Sequence, residues 1–343
     1  MPGIEEIASD FNGNFFRPLL ICDNNTESFA AAIQGSAKLP VCILEAGESR
    51  KGWPAVETIL RCACDAGTGR DGTFIGIGGG VVGDLSAFAA SIYMRGCSLA
   101  LIPTTLLGMV DAGLGGKTGI DLFGIKNLAG TFYPARHVYM PIESLSSLPP
   151  REWKSGMAEL IKTAVLEGDD FLDMLSGMDR AYPLDSNLLC RCISRAARFK
   201  GGIVSEDPFE TGNRRMLLNL GHTFGHALEA AAGLEKISHG EAVAWGIARS
   251  CELGLALGIC PAARAERITS LLDSFAFETT AAHPLLDNID YFMRALCSDK
   301  KKRGGKINFI VPDEKSARPA AVDLTEPHSM KIIDRIIKGE LSS

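Results

Sequence analysis

Residues 72–88 read GTFIGIGGGVVGDLSAF: an apolar run too short for a buried helix, three consecutive glycines, then a stretch of helix formers. That order spells a strand, a tight turn and a helix. Three more short apolar runs, PLLICDNN, PVCILEAG and SLALIPTT, end in turn or capping residues, and the segments between them suit helices. Strands that alternate with helices cannot pair as hairpins; they form a parallel sheet with helices on both faces, and such a sheet binds ligands beyond the carboxyl ends of its strands. From residue 150 the character changes. REWKSGMAELIKTAVLEGDDFLDML, NLLCRCISRAARFKGGIV and HGEAVAWGIARSCELGLALG are helical by period, with KINFIVPD the one strand-like exception. The proline pair in SSLPPREW marks the boundary, so the 343 residues divide into an α/β domain with a parallel sheet over 1–150 and a mainly α-helical domain over 151–343.

The glycine turn points to a nucleotide. Gly78, Gly80 and Gly83 satisfy G-x-G-x-x-G, where glycine permits positive φ and lets backbone N–H groups approach a phosphate at the N-terminus of the next helix. The acidic residue expected after the following strand is missing, since that strand ends in IPTT. Asp23 and Asn25, after the first strand, stand in its place as candidates for an adenine ribose. Next comes VDAGLGGKTGIDLFGIKN, with Asp111, Lys117, Lys126 and Asn127 among many glycines. Its glycines make it poor as regular helix or strand, and a loop with separated cations beside a nucleotide turn suits an anionic substrate.

The net charge of −6 excludes a nucleic-acid footprint, because the basic residues are scattered apart from DKKKRGGK. A chain of this charge that handles anions must concentrate its cations locally. The ten cysteines are spread thinly, in CxC and not CxxC pairs, and read as buried free thiols of a reducing compartment. The first residues contain acids and no apolar segment, and no uncharged run is long enough to cross a bilayer. A cytoplasmic location without membrane partners is the expectation.

NLGHTFGHALE, residues 219–229, sets two histidines four apart, on one face of a helix. SHGEAV follows, so His222, His226 and His239 are half of the chain's six histidines within a short segment. A pair of core histidines would account for the first two, but not for this clustering. Imidazole binds zinc and carries protons near neutral pH, which leaves a metal site and an acid–base site both open. Thr223 after His222 rules out the HExxH zinc-protease pattern.

GGGVVGD, YMRG, PTTLL, VDAGLGGKTGID, KNLAGTFYP, SGMAELIKTAV, NLGHTFGHALE, HGEAVAWG and DKKKRGGKI stand in the order and spacing of the 3-dehydroquinate synthase family, and the chain resembles that family from about residue 23 to 310. The resemblance implies conversion of 3-deoxy-D-arabino-heptulosonate 7-phosphate into 3-dehydroquinate and phosphate, in the shikimate pathway, with NAD and zinc as cofactors and cobalt an alternative metal. It implies zinc ligands Glu159, His222 and His239, with His226 facing the substrate phosphate. Lys117, Asn127 and Asn219 would share that phosphate, with Arg95 reaching in from the neighbouring subunit of a homodimer. Lys200, Arg215 and one of Lys300 and Lys301 would take the carboxylate, and Asp111, Lys162 and Glu210 would complete the site. The positions that match the family's NAD contacts are Asp23, Asn25, Glu48, Lys51, Gly79, Gly80, Asp84, Thr104, Thr105 and Lys126. On residue spacing alone, Glu159 and Lys162 read as an i,i+3 surface ion pair.

Three departures bear on these assignments. Asp121 stands where the family carries asparagine, Ile125 replaces a glycine, and one extra residue in ETGNRRMLLN leaves Arg214 and Arg215 as rivals for the carboxylate. The alternative is a related sugar-phosphate cyclase making 2-deoxy-scyllo-inosose or an epi-valiolone; Lys200, the arginines and the DKK lysines favour a carboxylate-bearing substrate.

Overall fold

The structure is a computed structural model that describes residues 3–4, 6–7, 15–35, 37–178, 186–212, 214–233, 236–286, 288–298 and 306–340. The chain forms two compact units, one of Met1–Trp153 with Lys200–Phe209 and the other of Lys154–Phe199 with Glu210–Ser343.

The first unit runs β1 (Pro18–Asp23), α1 (Glu27–Gln34), β2 (Val41–Leu44), α2 (Trp53–Asp65), β3 (Thr73–Gly78), α3 (Gly80–Ile92), β4 (Ser98–Pro103), α4 (Leu106–Val110), β5 (Lys117–Leu122), β6 (Ile125–Phe132) and β7 (His137–Val138). Five of these strands form one sheet in the order β2-β1-β3-β4-β7, with every pair parallel. Alternate residues serve opposite faces. Leu19, Ile21, Phe74, Leu99 and Leu101 pack with Val56 and Ile59 of α2 and Leu85 of α3. Leu20, Cys22, Ile75, Ile77, Ala100 and Ile102 pack on the other side with Ala30 and Ile33 of α1. Both faces of β1, β3 and β4 are therefore buried, which is why these strands read as unbroken apolar runs.

The glycine turn differs from its sequence reading in one respect: Gly78, Gly79 and Gly80 are all outside the positive-φ set. Helix α3 begins at once, with Gly79 as its N-cap at φ −76°. Glycine is needed here for close packing instead. A Cβ on Gly78 would lie 2.7 Å from the Val82 side chain, too near for helix and strand to keep their contact.

VDAGLGGKTGIDLFGIKN is likewise not all loop, because β5 and β6 form an antiparallel hairpin. Phe123 and Gly124, at φ 55° and 75°, make a two-residue turn of the left-handed kind that hairpins favour. Gly119 pairs with Gly130, and a Cβ on Gly130 would sit 2.0 Å from the Thr118 carbonyl oxygen. The glycines that argued against a strand are what let its two backbones meet.

The second unit is mainly helical: α5 (Pro150–Glu167), α6 (Asp169–Ser176), α7 (Ser186–Glu206, its end belonging to the first unit), α8 (His222–Ala232), α9 (His239–Ala256), α10 (Ala262–Ser274), α11 (Ile289–Ser298), the antiparallel strands β8 (Ile307–Pro312) and β9 (Ala317–Val322), and α12 (Pro327–Lys338). Phe224, Leu228, Trp245, Phe292, Phe309 and Ile333 anchor its core. Among the described residues no helix is long and apolar enough to cross a membrane. All ten cysteines are free; most are buried, but Cys64 is exposed.

Candidate active site

In the second unit α5, α8 and α9 converge on one cluster. Gly221 ends the preceding turn in the left-handed region at φ 79°, and a Cβ there would meet the Val243 carbonyl oxygen at 2.7 Å. Glycine is thus required twice over, and it delivers His222 as the first residue of α8. Helix α9 starts through a capping box: the Ser238 hydroxyl accepts from the Glu241 N–H, and the Glu241 carboxylate accepts from the Ser238 N–H. His239 is its first helical residue. Gly240 behind it has no room for a Cβ, which would lie 2.3 Å from Ser155 Cα of α5. SHGE is therefore a docking device as well as a chemical one.

Glu159, on α5, is fully buried. Its Oε1 lies 3.8 Å from His222 Nε2 and 3.5 Å from His239 Nε2, and its Oε2 pairs with the Lys162 ammonium. The helical spacing of Glu159 and Lys162 does make an ion pair, but in the interior and not on the surface. Taking both charges out of water costs several kcal/mol per ion, an expense concentrated at functional sites. One ligand atom from each of Glu159, His222 and His239 fits within a 4.8 Å span. A carboxylate and two imidazoles are zinc's preferred oxygen and nitrogen donors.

Sequence reading missed Glu229. Its carboxylate lies 3.5 Å from His239 Nδ1, orienting the ring from the side away from Glu159, as metal-ligating histidines are commonly held. The signal was present: Glu229 is seven residues after His222, on the same helical face. The environment splits the two imidazoles. Burial and the Lys162 charge push the His222 pKa down to about 3. Burial also pulls on His239, but the Glu159 and Glu229 carboxylates outweigh it and lift its pKa to about 10. His226 is more exposed, its ring centroid 5.3 Å from that of His222 and 6.2 Å from that of His239.

Arg215 and Asn219 bound a 3-10 turn that leads to Gly221. Arg215 is 2% exposed and Arg214 is exposed, so it is Arg215 that sits in the interior. Glu210 adopts a left-handed φ of 54°. Lys300 and Lys301 lie outside the described residues.

In the first unit, Gly79, Gly80, Asp84, Gly108 and Ala112 line one crevice at the carboxyl end of β3. Lys51 is buried, with Nζ 2.5 Å from Asp84 Oδ2 and 2.6 Å from Asn127 Oδ1. Burial raises the Asp84 pKa, against the opposing pull of Lys51. Lys126 is 4.0 Å from Glu48. Lys200 donates to both the Oδ1 and the backbone oxygen of Asp111, each at 2.7 Å. Asp23 accepts from the Asn25 and Thr26 N–H groups, closing the turn after β1. The Thr105 hydroxyl caps α4, and buried Thr104 ties its N–H to the Gly78 carbonyl. Lys117 and Arg95 are exposed.

Two family models match consecutive segments: the N-terminal domain of 3-dehydroquinate synthase at residues 41–155 and the C-terminal domain at 156–302. A 3-dehydroquinate synthase of Acidithiobacillus ferrooxidans is 41% identical over 272 residues, 78% of this chain and 73% of the relative. That of Methylacidiphilum infernorum is 37% identical over 328 residues, 94% and 88% of the two chains. Among solved structures, 2-epi-5-epi-valiolone synthase from Streptomyces hygroscopicus, with NAD+ and Zn2+ bound, superposes with TM-score 0.82 at 26% identity, covering 94% of this chain and 90% of that one. A 2-deoxy-scyllo-inosose synthase complexed with carbaglucose-6-phosphate, NAD+ and Co2+ gives 0.82 at 26%, over 97% and 94%. With the two family models together matching residues 41–302 and relatives this similar over most of their length, the chain belongs to the 3-dehydroquinate synthase family.

Proposed function

We propose that this chain acts as a carbon–oxygen lyase that converts 3-deoxy-D-arabino-heptulosonate 7-phosphate into 3-dehydroquinate and inorganic phosphate, with no net redox change. The observation that carries the reading is the convergence of Glu159, His222 and His239, with His239 braced by Glu229. Three protein ligands leave zinc the open positions a catalytic site needs. The crevice beside Gly79 and Gly80, with Asp84 on its wall and Lys51 paired to that carboxylate, supports a dinucleotide whose phosphates approach backbone N–H groups. When bound, NAD supplies a reversible hydride acceptor, and the metal supplies a Lewis acid for a substrate hydroxyl.

The chain's own residues bind and orient. Lys117, Asn127, Asn219 and His226 take the phosphate. Lys200 and Arg215 take the carboxylate, each a buried cation that loses little entropy on meeting an anion. Lys162 pairs with the Glu159 carboxylate, and Asp111 holds the Lys200 ammonium in place. Arg95 follows Met94 in a left-handed pair, φ 48° and 69°, a strained turn that projects its side chain outward and supports a role in the neighbouring subunit's site within a homodimer. The test is metal content alongside turnover: the purified protein should carry one zinc per chain and lose phosphate release when stripped with EDTA, and His222→Ala should lose both. Full turnover without metal would remove the reading.

A further inference from the structure

The departure at Asp121 has a structural consequence in the first unit. Asp121 Oδ1 accepts the Asn127 backbone N–H at 2.7 Å, and the Asp121 N–H donates to the Lys51 carbonyl at 2.8 Å. Asn127 sits at φ 52°, a conformation that costs a non-glycine residue free energy unless its surroundings hold it. The Asn127 side chain is fixed in turn: its Oδ1 accepts from Lys51 Nζ at 2.6 Å, and the same ammonium pairs with Asp84 on α3. An amide whose oxygen is committed to a lysine has its N–H2 donors left for an anion. A chain of contacts thus runs from the hairpin β5–β6 to the helix that follows the glycine turn.

We propose that Asp121 is a positioning residue: by holding the Asn127 backbone in its left-handed form, it aims the amide donors at the substrate phosphate and keeps Lys51 seated against Asp84, so that anion and nucleotide affinity are set together. Without that acceptor, Asn127 relaxes to an ordinary φ, its oxygen leaves Lys51, and both subsites loosen. The acceptor is the essential part and the negative charge is not, since an asparagine oxygen can accept the same N–H.

The inference rests on the functional reading above for which ligands are involved, and its test separates the two. NAD affinity is measured by calorimetry, and steady-state constants for the heptulosonate phosphate are measured in parallel, on the wild type, Asp121→Ala and Asp121→Asn. The expected result for Asp121→Ala is about tenfold weaker NAD binding and about tenfold higher KM with kcat within about twofold, the size of one lost hydrogen bond. Asp121→Asn should restore both. Unchanged NAD affinity and KM in a folded Asp121→Ala, or failure of Asp121→Asn to recover either, would overturn the proposal. A wild type that binds NAD but turns over no heptulosonate phosphate would count against the functional reading alone, and the NAD arm would still decide the role of Asp121.

Discussion

At the residue scale the cluster is held together by one shared carboxylate. Glu159 faces Lys162, His222 and His239, so a bound divalent cation has to displace a proton from the group that now carries it. That group is His239, with a pKa lifted to about 10, while His222 at about 3 is already neutral. Zinc affinity should therefore rise with pH, by about tenfold per unit between neutrality and pH 10, with one proton released per metal. Calorimetry in buffers of different ionisation enthalpy measures that proton; zero release would contradict the assignment. The linkage to folding runs in the opposite direction. A raised histidine pKa stabilises the metal-free protein fully below about 6.5, and this stability is lost as pH rises through about 10. Glu229→Gln should weaken zinc binding by about 10- to 100-fold, as expected for the partner of a ligating histidine, with the fold unchanged by circular dichroism.

At the element scale the candidate metal ligands are placed by backbone contact. Gly246 of α9 lies against Gly221 at the head of α8, where a Cβ would stand 2.0 Å from the Gly221 carbonyl oxygen. Gly246→Ala should push the two helices apart, costing about 1–3 kcal/mol by overpacking and lowering zinc occupancy together with the melting temperature. Ser238→Ala removes one cap and should cost about 1 kcal/mol, seen in chemical denaturation. Much of this level was legible in the sequence. Four of the five strands of the parallel sheet were visible as apolar runs, the inner three because both their faces are buried, and α5 to α9 as helical segments; β7, two residues long, and the helices α10 to α12 were not read. The hairpin was not, because Gly119 and Gly130 count against strands locally and are explained only by each other, eleven residues apart. Helix α5 and α6 read as one segment until Gly168, at φ 135°, divides them. Glu229 was hidden for a different reason: a carboxylate one heptad along a helix is ordinary until a third element supplies the histidine it orients.

At the scale of the whole molecule, sequence motifs name the reaction more surely than they name each residue's part in it. Asn127 meets Lys51 and Asp121 through a turn whose geometry no spacing encodes, and Arg214 and Arg215 are told apart only by burial. The homodimer reading has its own test. If Arg95 serves the partner subunit's site, mixing inactive Arg95→Ala with inactive Lys117→Ala chains should restore activity, since one site of each mixed dimer is then intact; no recovery after verified exchange would place Arg95 in its own chain's site or outside it. The reaction itself is measured by phosphate release from heptulosonate 7-phosphate, glucose 6-phosphate and sedoheptulose 7-phosphate, each with NAD and zinc. Release is expected from the first alone, matched by 3-dehydroquinate formed; release from either sugar phosphate with none from the first would contradict the assignment.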